Sequence, residues 1–153
     1  MAISVGIGYD SHRFADDRRL ILGGVEVPHE MGLSGHSDAD VLTHAIIDAV
    51  LGAAGLGDIG EVFPDTDPAW EGADSISLLS TVIGMLRGPI TNVDATLICE
   101  QPKLGPHRPA MVARLSEITG SRVSVKATTN EQMGWIGRGE GIACMAVAAV
   151  NLD

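Results

Sequence analysis

Asp10 and His12 are separated by one residue, and His44 lies in a later stretch, 35–48, that reads GHSDADVLTHAIID. In an extended segment an i, i+2 pair shares one face, so Asp10 and His12 would present a carboxylate and an imidazole together. Zn²⁺ takes both ligand types, and a catalytic zinc site leaves a fourth position open; one Asp and two His from two elements fit that count. Each has a plainer reading alone: Asp10 as a turn cap, His12 as a loop residue, His44 as a hydrogen-bonded helix histidine. The Gly- and Asp-rich surroundings favour the metal. Asp40 and Asp48, one turn either side of His44, are candidates to fix its tautomer. His36 adds another imidazole beside carboxylates, a combination suited to metal or phosphate chemistry.

The elements that must position these groups are legible in the pattern. Ser37 reads as a helix N-cap, with Asp40 three residues on as in a capping box. Asp38 and Asp40 then fall in the first turn, where negative charge suits the helix dipole. Val41, Leu42, Ala45, Ile46, Ala49 and Val50 make the apolar stripe, and Gly55 and Gly57 can end the helix near residue 54. On this reading His36 precedes the helix and His44 lies about two turns into it. Residues 3–8 alternate as a first strand, 13–19 read as a charged loop, and 20–22 with 25–27 form a hairpin around Gly23-Gly24.

Further on, residues 58–68 are rich in carboxylates and carry two prolines. They are either a solvated turn whose aspartates bond their own backbone or a stiffened loop offering Asp58 to a polyhydroxylated ligand. A second helix starts at Asp74 or Ser75 and is stopped by Gly88-Pro89. A strand over 90–99, a constrained turn over 101–107, a third helix over 107–118 and a strand over 122–126 follow. The last strand, 142–150, is apolar on both faces, which places it centrally in a sheet or under a partner subunit. Strands alternating with helices predict an α+β fold, a layered α/β sandwich of one mostly β-sheet layer and three main helices, in a single domain over 1–153.

Composition narrows the function. The chain has 153 residues, 45% of them hydrophobic but only 3% aromatic, so its core must rest on aliphatic side chains and Met. A net charge of −10 argues against a nucleic-acid partner, which clustered cations would bind. An anionic ligand would need local neutralisation by metal ions, a few cations or backbone N–H groups. The two cysteines, Cys99 and Cys144, sit in apolar segments and read as buried thiols of a reduced compartment. The N-terminus lacks a signal-peptide pattern and the longest apolar run is too short for a bilayer, so a cytoplasmic protein without a membrane partner is expected.

Long blocks carry a resemblance over almost the whole chain: GYDSHRF (8–14), LGGV (22–25), HSDADVLTHAIIDAVLGAAGLGDIGEVFPDTD (36–67), GADS (72–75), QPKLGPH (101–107), VKATTNE (125–131) and GRGEGIAC (137–144). The chain resembles the 2-C-methyl-D-erythritol 2,4-cyclodiphosphate synthases of the non-mevalonate isoprenoid route. The resemblance implies an intramolecular phosphoryl transfer, in which the 2-phosphate of 4-diphosphocytidyl-2-C-methyl-D-erythritol 2-phosphate displaces CMP. The nucleophile is already anionic, so positioning and charge neutralisation matter more than a strong base.

By matching motif, Asp10, His12 and His44 look like zinc ligands, and Glu131 like the carboxylate for Mg²⁺ or Mn²⁺. His36 and Thr129 look like the catalytic pair. Asp10, His12, His36 and Ser37 would meet the phosphate side of the substrate, and Asp58, Ile59, Gly60, Phe63, Pro64, Asp65, Thr66 and Asp67 the erythritol side. Lys103, Leu104, Ala127, Thr128, Thr129, Asn130 and Glu131 resemble the cytidine and α-phosphate pocket, with Trp135 and Arg138 as further substrate contacts. The family implies a homotrimer with active sites between subunits. Its axis has been associated with isoprenoid diphosphates near Arg138 and Glu140; Met145 stands where some members carry Glu, which makes that channel more apolar. Trp135 keeps an aromatic ring where Phe is usual, and Gly105 stands where a larger residue is commoner.

Overall fold

The computed structural model describes residues 2–153. β1 (Ile3–Ala15), β2 (Leu20–Leu22), β3 (Val25–Val27) and β4 (Gly32–Leu33) precede α1 (Val41–Ala54). α2 (Ile59–Val62), α3 (Ser75–Gly84), β5 (Ile90–Ile98), α4 (Arg108–Thr119), β6 (Arg122–Thr128), α5 (Gly134–Gly137) and β7 (Gly141–Asn151) follow. The main sheet is ordered β4-β1-β7-β5-β6, with β5 and β6 parallel and the other neighbours antiparallel. This is an α+β architecture with a mixed sheet, and β2–β3 form a separate hairpin. Both turn glycines of that hairpin, Gly23 and Gly24, have left-handed φ values, which a tight two-residue hairpin turn demands.

α1 lies against β1 and β7. It comes so near β1 that a Cβ at Gly6 would run into the Ala49 carbonyl, and one at Gly8 into that of Ala45. The alternation of β1 therefore has the opposite sense from an ordinary core strand. Its small residues face the helix, while Ile3, Val5, Ile7 and Tyr9 point outward and stay about half exposed or more. Ile7 pairs with Val147 and Tyr9 with Met145, both also exposed, so the outer face carries a continuous apolar patch. β7 is central, as its composition predicts, and its other face (Ile142, Cys144, Ala146, Ala148, Val150) is buried.

Several local expectations change. β1 does not stop near Gly8 but runs through Asp10 and His12 to Ala15, so residues 13–15 are strand and only 16–19 remain loop. Pairing with β7 as far as Arg13–Gly141 supplies the hydrogen bonds that carry it on. Helix α1 is capped by Asp40, not Ser37, and neither Asp38 nor Asp40 lies in its first turn. The Asp40 carboxylate, fully buried, accepts from Thr43 N (3.0 Å), Thr43 Oγ1 (2.8 Å), Gly23 N (2.9 Å) and Gly24 N (2.8 Å). One side chain thus ends the helix and ties the hairpin to it; burial pushes its carboxyl up, against the pull of these donors. With the start moved, His44 sits in the first turn rather than two turns in. α3 ends at Gly84, before Gly88-Pro89.

Candidate functional site

Asp10 and His12 share the helix-facing side of β1, and the first turn of α1 brings His44 to them. Asp10 Oδ2 lies 2.9 Å from His12 Nε2 and 3.2 Å from His44 Nδ1, and the two ring nitrogens are 3.4 Å apart. One ligand atom from each residue falls within 4.8 Å of the other two. Outer contacts aim these atoms. His12 Nδ1 donates to the Ser34 carbonyl at 2.8 Å, so Nε2 is the nitrogen that faces the cluster. His44 turns Nε2 toward Ser75 Oγ (2.7 Å) and Ser37 Oγ (3.1 Å), so its Nδ1 faces inward. Three donor atoms meeting on one point, two of them imidazole and one carboxylate, suit a divalent cation that accepts N and O ligands.

The charges agree with that geometry. Burial pushes the Asp10 carboxyl up, but hydrogen bonds and charge from His12 and His44 outweigh it and hold it down at about 2. Burial pushes His12 down, and the hydrogen bond and charge of Asp10 bring it above its ordinary value.

The carboxylates expected to orient His44 are engaged elsewhere. Asp40 is occupied at the hairpin, and Asp48 accepts from Ile59 N at 2.7 Å, holding the start of α2 against α1. Ser37 and Ser75 take their place. Ser37 is no helix cap; its oxygen accepts from Ala39 N (3.2 Å) and meets His44.

A cavity of about 450 Å³ opens on the cluster and is lined by Asp10, His12, His36, Ser37, His44, Ile59, Gly60, Phe63, Pro64 and Asp65, with Gly35, Trp70 and Leu78. Asp58, Thr66 and Asp67 are not in that lining. Asp58 caps α2 through Glu61 N (2.9 Å), and Asp67 accepts from Ala69 N (2.9 Å). Aspartates that bond their own backbone and a loop that shapes a cavity are thus both present. The His36 segment is held from outside by Arg18, which donates to the carbonyls of Gly35 (3.2 Å) and Ser37 (2.9 Å).

The other expected residues gather elsewhere. Thr128 and Ile98 pair at the ends of the parallel strands β6 and β5. Beyond those ends Glu100 accepts from Asn130 N (2.7 Å) and Gln132 N (3.2 Å). Lys103, Ala127, Thr128, Thr129 and Glu131 are exposed there, and Leu104 is buried. None of them, nor Asn130, lines the cavity around His44, and Glu131 is not in the metal-ligand cluster. Trp135 lines a different hollow of about 430 Å³ with Ser11, His12, Arg13 and Glu140. Arg138 pairs with Glu140 at 2.7 Å.

The model of the YgbB family matches residues 3–151. The chain belongs to the YgbB family. It is 57% identical to a 2-C-methyl-D-erythritol 2,4-cyclodiphosphate synthase of Symbiobacterium thermophilum, over 95% of this chain and 97% of that one. Among solved structures, a bifunctional protein of Campylobacter jejuni, IspDF, superposes with TM-score 0.94 at 41% identity, over 99% of this chain and 43% of that longer one. A solved 2C-methyl-D-erythritol-2,4-cyclodiphosphate synthase in its CDP-bound form gives TM-score 0.87 at 36% identity, over 96% of this chain and 99% of that one.

Arg18, Asp38, Ser75 and Glu100 were not expected at the site. Ser75 closes the GADS block, but neither composition nor spacing marks it as a partner of His44, more than thirty residues away.

Proposed function

We propose that the chain converts 4-diphosphocytidyl-2-C-methyl-D-erythritol 2-phosphate to 2-C-methyl-D-erythritol 2,4-cyclodiphosphate and CMP, in the non-mevalonate route to isoprenoid precursors. What carries the reading is the Asp10–His12–His44 cluster opening on the cavity beside His36 and Ser37, in a chain whose named relatives are this synthase. In the reaction a 2-phosphate oxygen bonds to the β-phosphorus, and the bond from that phosphorus to the α-phosphate bridge breaks. The bridging oxygen leaves with CMP. The attacking oxygen is already an anion, so the protein's task is to align two phosphates and balance their charge.

The cavity lining supports His36 and Ser37 as contacts of the 2-phosphate. Because Ser37 Oγ accepts from Ala39 N and can accept from His44, its own proton is free to donate to a phosphate oxygen. Ile59, Gly60 and the 63–67 loop would hold the erythritol, with Asp58 at its edge. Lys103, Leu104, Ala127, Thr128, Thr129 and Asn130 would hold the cytidine and α-phosphate, with Thr129 and His36 facing the developing charge and Trp135 and Arg138 at the margins. When bound, Zn²⁺ on Asp10, His12 and His44 and Mg²⁺ or Mn²⁺ on Glu131 neutralise diphosphate charge. Two features support a homotrimer with sites between subunits. The outer face of β1 and β7 is a broad apolar patch, and the two sets of substrate residues do not line one cavity. The isoprenoid-precursor reading carries with it a cytoplasmic enzyme. No helix among the described residues is long and apolar enough to cross a membrane.

Phosphorus NMR of the purified protein with the diphosphocytidyl substrate, zinc and Mg²⁺ tests the proposal. Cyclic diphosphate with one CMP per turnover is expected. Inorganic phosphate would point instead to a metal hydrolase, and unchanged substrate would remove the synthase reading.

A further inference from the structure

We propose that Asp38 and Ser75 are positioning residues that keep the hydrogen of His44 on Nε2, so that the Nδ1 lone pair faces the cluster with Asp10 and His12. The inference deepens the reading above, in which those three residues hold a divalent metal.

A hydrogen count carries it. Asp38 receives every donor around it: Oδ1 accepts from Ser75 Oγ and from Asp40 N (3.1 Å), and Oδ2 from Ser75 N (3.0 Å). A carboxylate only accepts, so the single hydroxyl hydrogen of Ser75 points to Asp38. Toward His44 Nε2, 2.7 Å away, Ser75 Oγ can then only accept, and the hydrogen between them belongs to the imidazole. Ser37 Oγ, 3.1 Å from the same nitrogen, is a second acceptor for it.

The arrangement is the mirror of His12, whose hydrogen is fixed on Nδ1 by the Ser34 carbonyl. The two histidines thus present opposite nitrogens inward. His12 is set by a backbone carbonyl, which cannot donate. On its Nε2 side His44 meets hydroxyls, which can do either, and the carboxylate behind Ser75 decides their direction. On its Nδ1 side the Asp10 carboxylate, 3.2 Å away, competes for the same hydrogen, and the Asp38–Ser75 pair opposes that pull. Ser75 is fully buried, so water cannot substitute for Asp38. It is also the first residue of α3, whose cap, Asp74, bonds Ile76 N (3.0 Å) instead.

Asp38→Asn and Ser75→Ala test this. An amide has one oxygen for the three donors Asp38 receives, so at least one N–H or O–H meets an NH₂ group. Ser75→Ala removes the link outright. Each should weaken zinc binding roughly tenfold to a hundredfold in a chelator competition. Long-range ¹H–¹⁵N spectra of the metal-free chain in mildly alkaline buffer should show the Nε2–H form of His44 in competition with the Nδ1–H form that Asp10 favours, and the Nδ1–H form gaining in Asp38→Asn and Ser75→Ala. Asp74→Asn loosens the same helix start without touching Ser75 Oγ; it should leave both readouts at wild-type values. A wild-type tautomer ratio and wild-type zinc affinity in both Asp38→Asn and Ser75→Ala would overturn the proposal. If the wild-type chain bound no zinc yet showed the tautomer and its shift, the metal reading would fall and the positioning role would stand.

Discussion

The two regions that hold the expected site residues differ in how far one chain prepares them. Around Asp10, His12 and His44 both imidazoles have outer partners: Ser34 behind His12, and Ser37 and Ser75 behind His44. The close approach of α1 to Gly6 and Gly8 sets the spacing between strand and helix. At the ends of β5 and β6 the backbone is pinned by Glu100, but the side chains of Lys103, Thr129 and Glu131 are exposed. The contrast teaches that the Asp10–His12–His44 cluster is preorganised by folding, whereas Lys103, Thr129 and Glu131 are left uncovered. Preorganised donors give affinity without an ordering cost at the moment of binding.

Removing a member of the prepared region should have the largest effect. Losing a residue that merely orients a metal ligand costs metal sites roughly 10–100-fold, so His44→Ala should weaken zinc by about 100-fold or more and abolish most turnover. Circular dichroism should stay native. Zinc at one per chain by mass spectrometry after gel filtration would show that the cluster is not the metal site, and the contrast would collapse.

A loss on the exposed side should be smaller and separable. Glu131→Gln removes one charge-bearing contact, a change of about 2 kcal/mol or roughly 30-fold, in the Mg²⁺ concentration needed for half-maximal turnover. Zinc content should be unchanged. If Glu131→Gln also stripped zinc, the two regions would be one coupled site within a single chain.

How much of this was legible in the sequence follows the same division. That Asp10, His12 and His44 cluster was readable because i, i+2 on a strand is a fixed geometry, and β1 does continue through Asp10 and His12. The hairpin and the Gly55 stop were readable because glycine turn chemistry is local. The cap of α1 was misplaced because Ser37, Asp38 and Asp40 are all good caps, and only the tertiary contact with Gly23 and Gly24 selects Asp40. Which face of β1 is buried was not readable, since Ile3, Val5 and Ile7 look like core until α1 is seen against Gly6 and Gly8. The hydroxyl partners of His44 were hidden because they join residues far apart in the chain.

The smallest expected effect concerns the metal-free protein and its response to pH. The Asp10 carboxyl is held at about 2 against a usual 3.8, so its contribution is present above pH 3.8 and lost as pH falls toward 2. His12 is raised above its usual 6.5, so its contribution is present below pH 6.5 and lost as pH rises through the folded value. Both describe one contact and count once, at about 1–2 kcal/mol given the partial exposure of Asp10. With chelator present, this contact should therefore stabilise most between roughly pH 4 and 6.5, read as urea midpoints across the range. Asp10→Asn should flatten both limbs, while Glu131→Gln, which is outside this contact, should leave both limbs in place. A profile reshaped by Glu131→Gln, or left intact by Asp10→Asn, would mean that folding does not install the Asp10–His12 interaction. The metal would then have to assemble its own ligands, and the difference between the two regions would vanish.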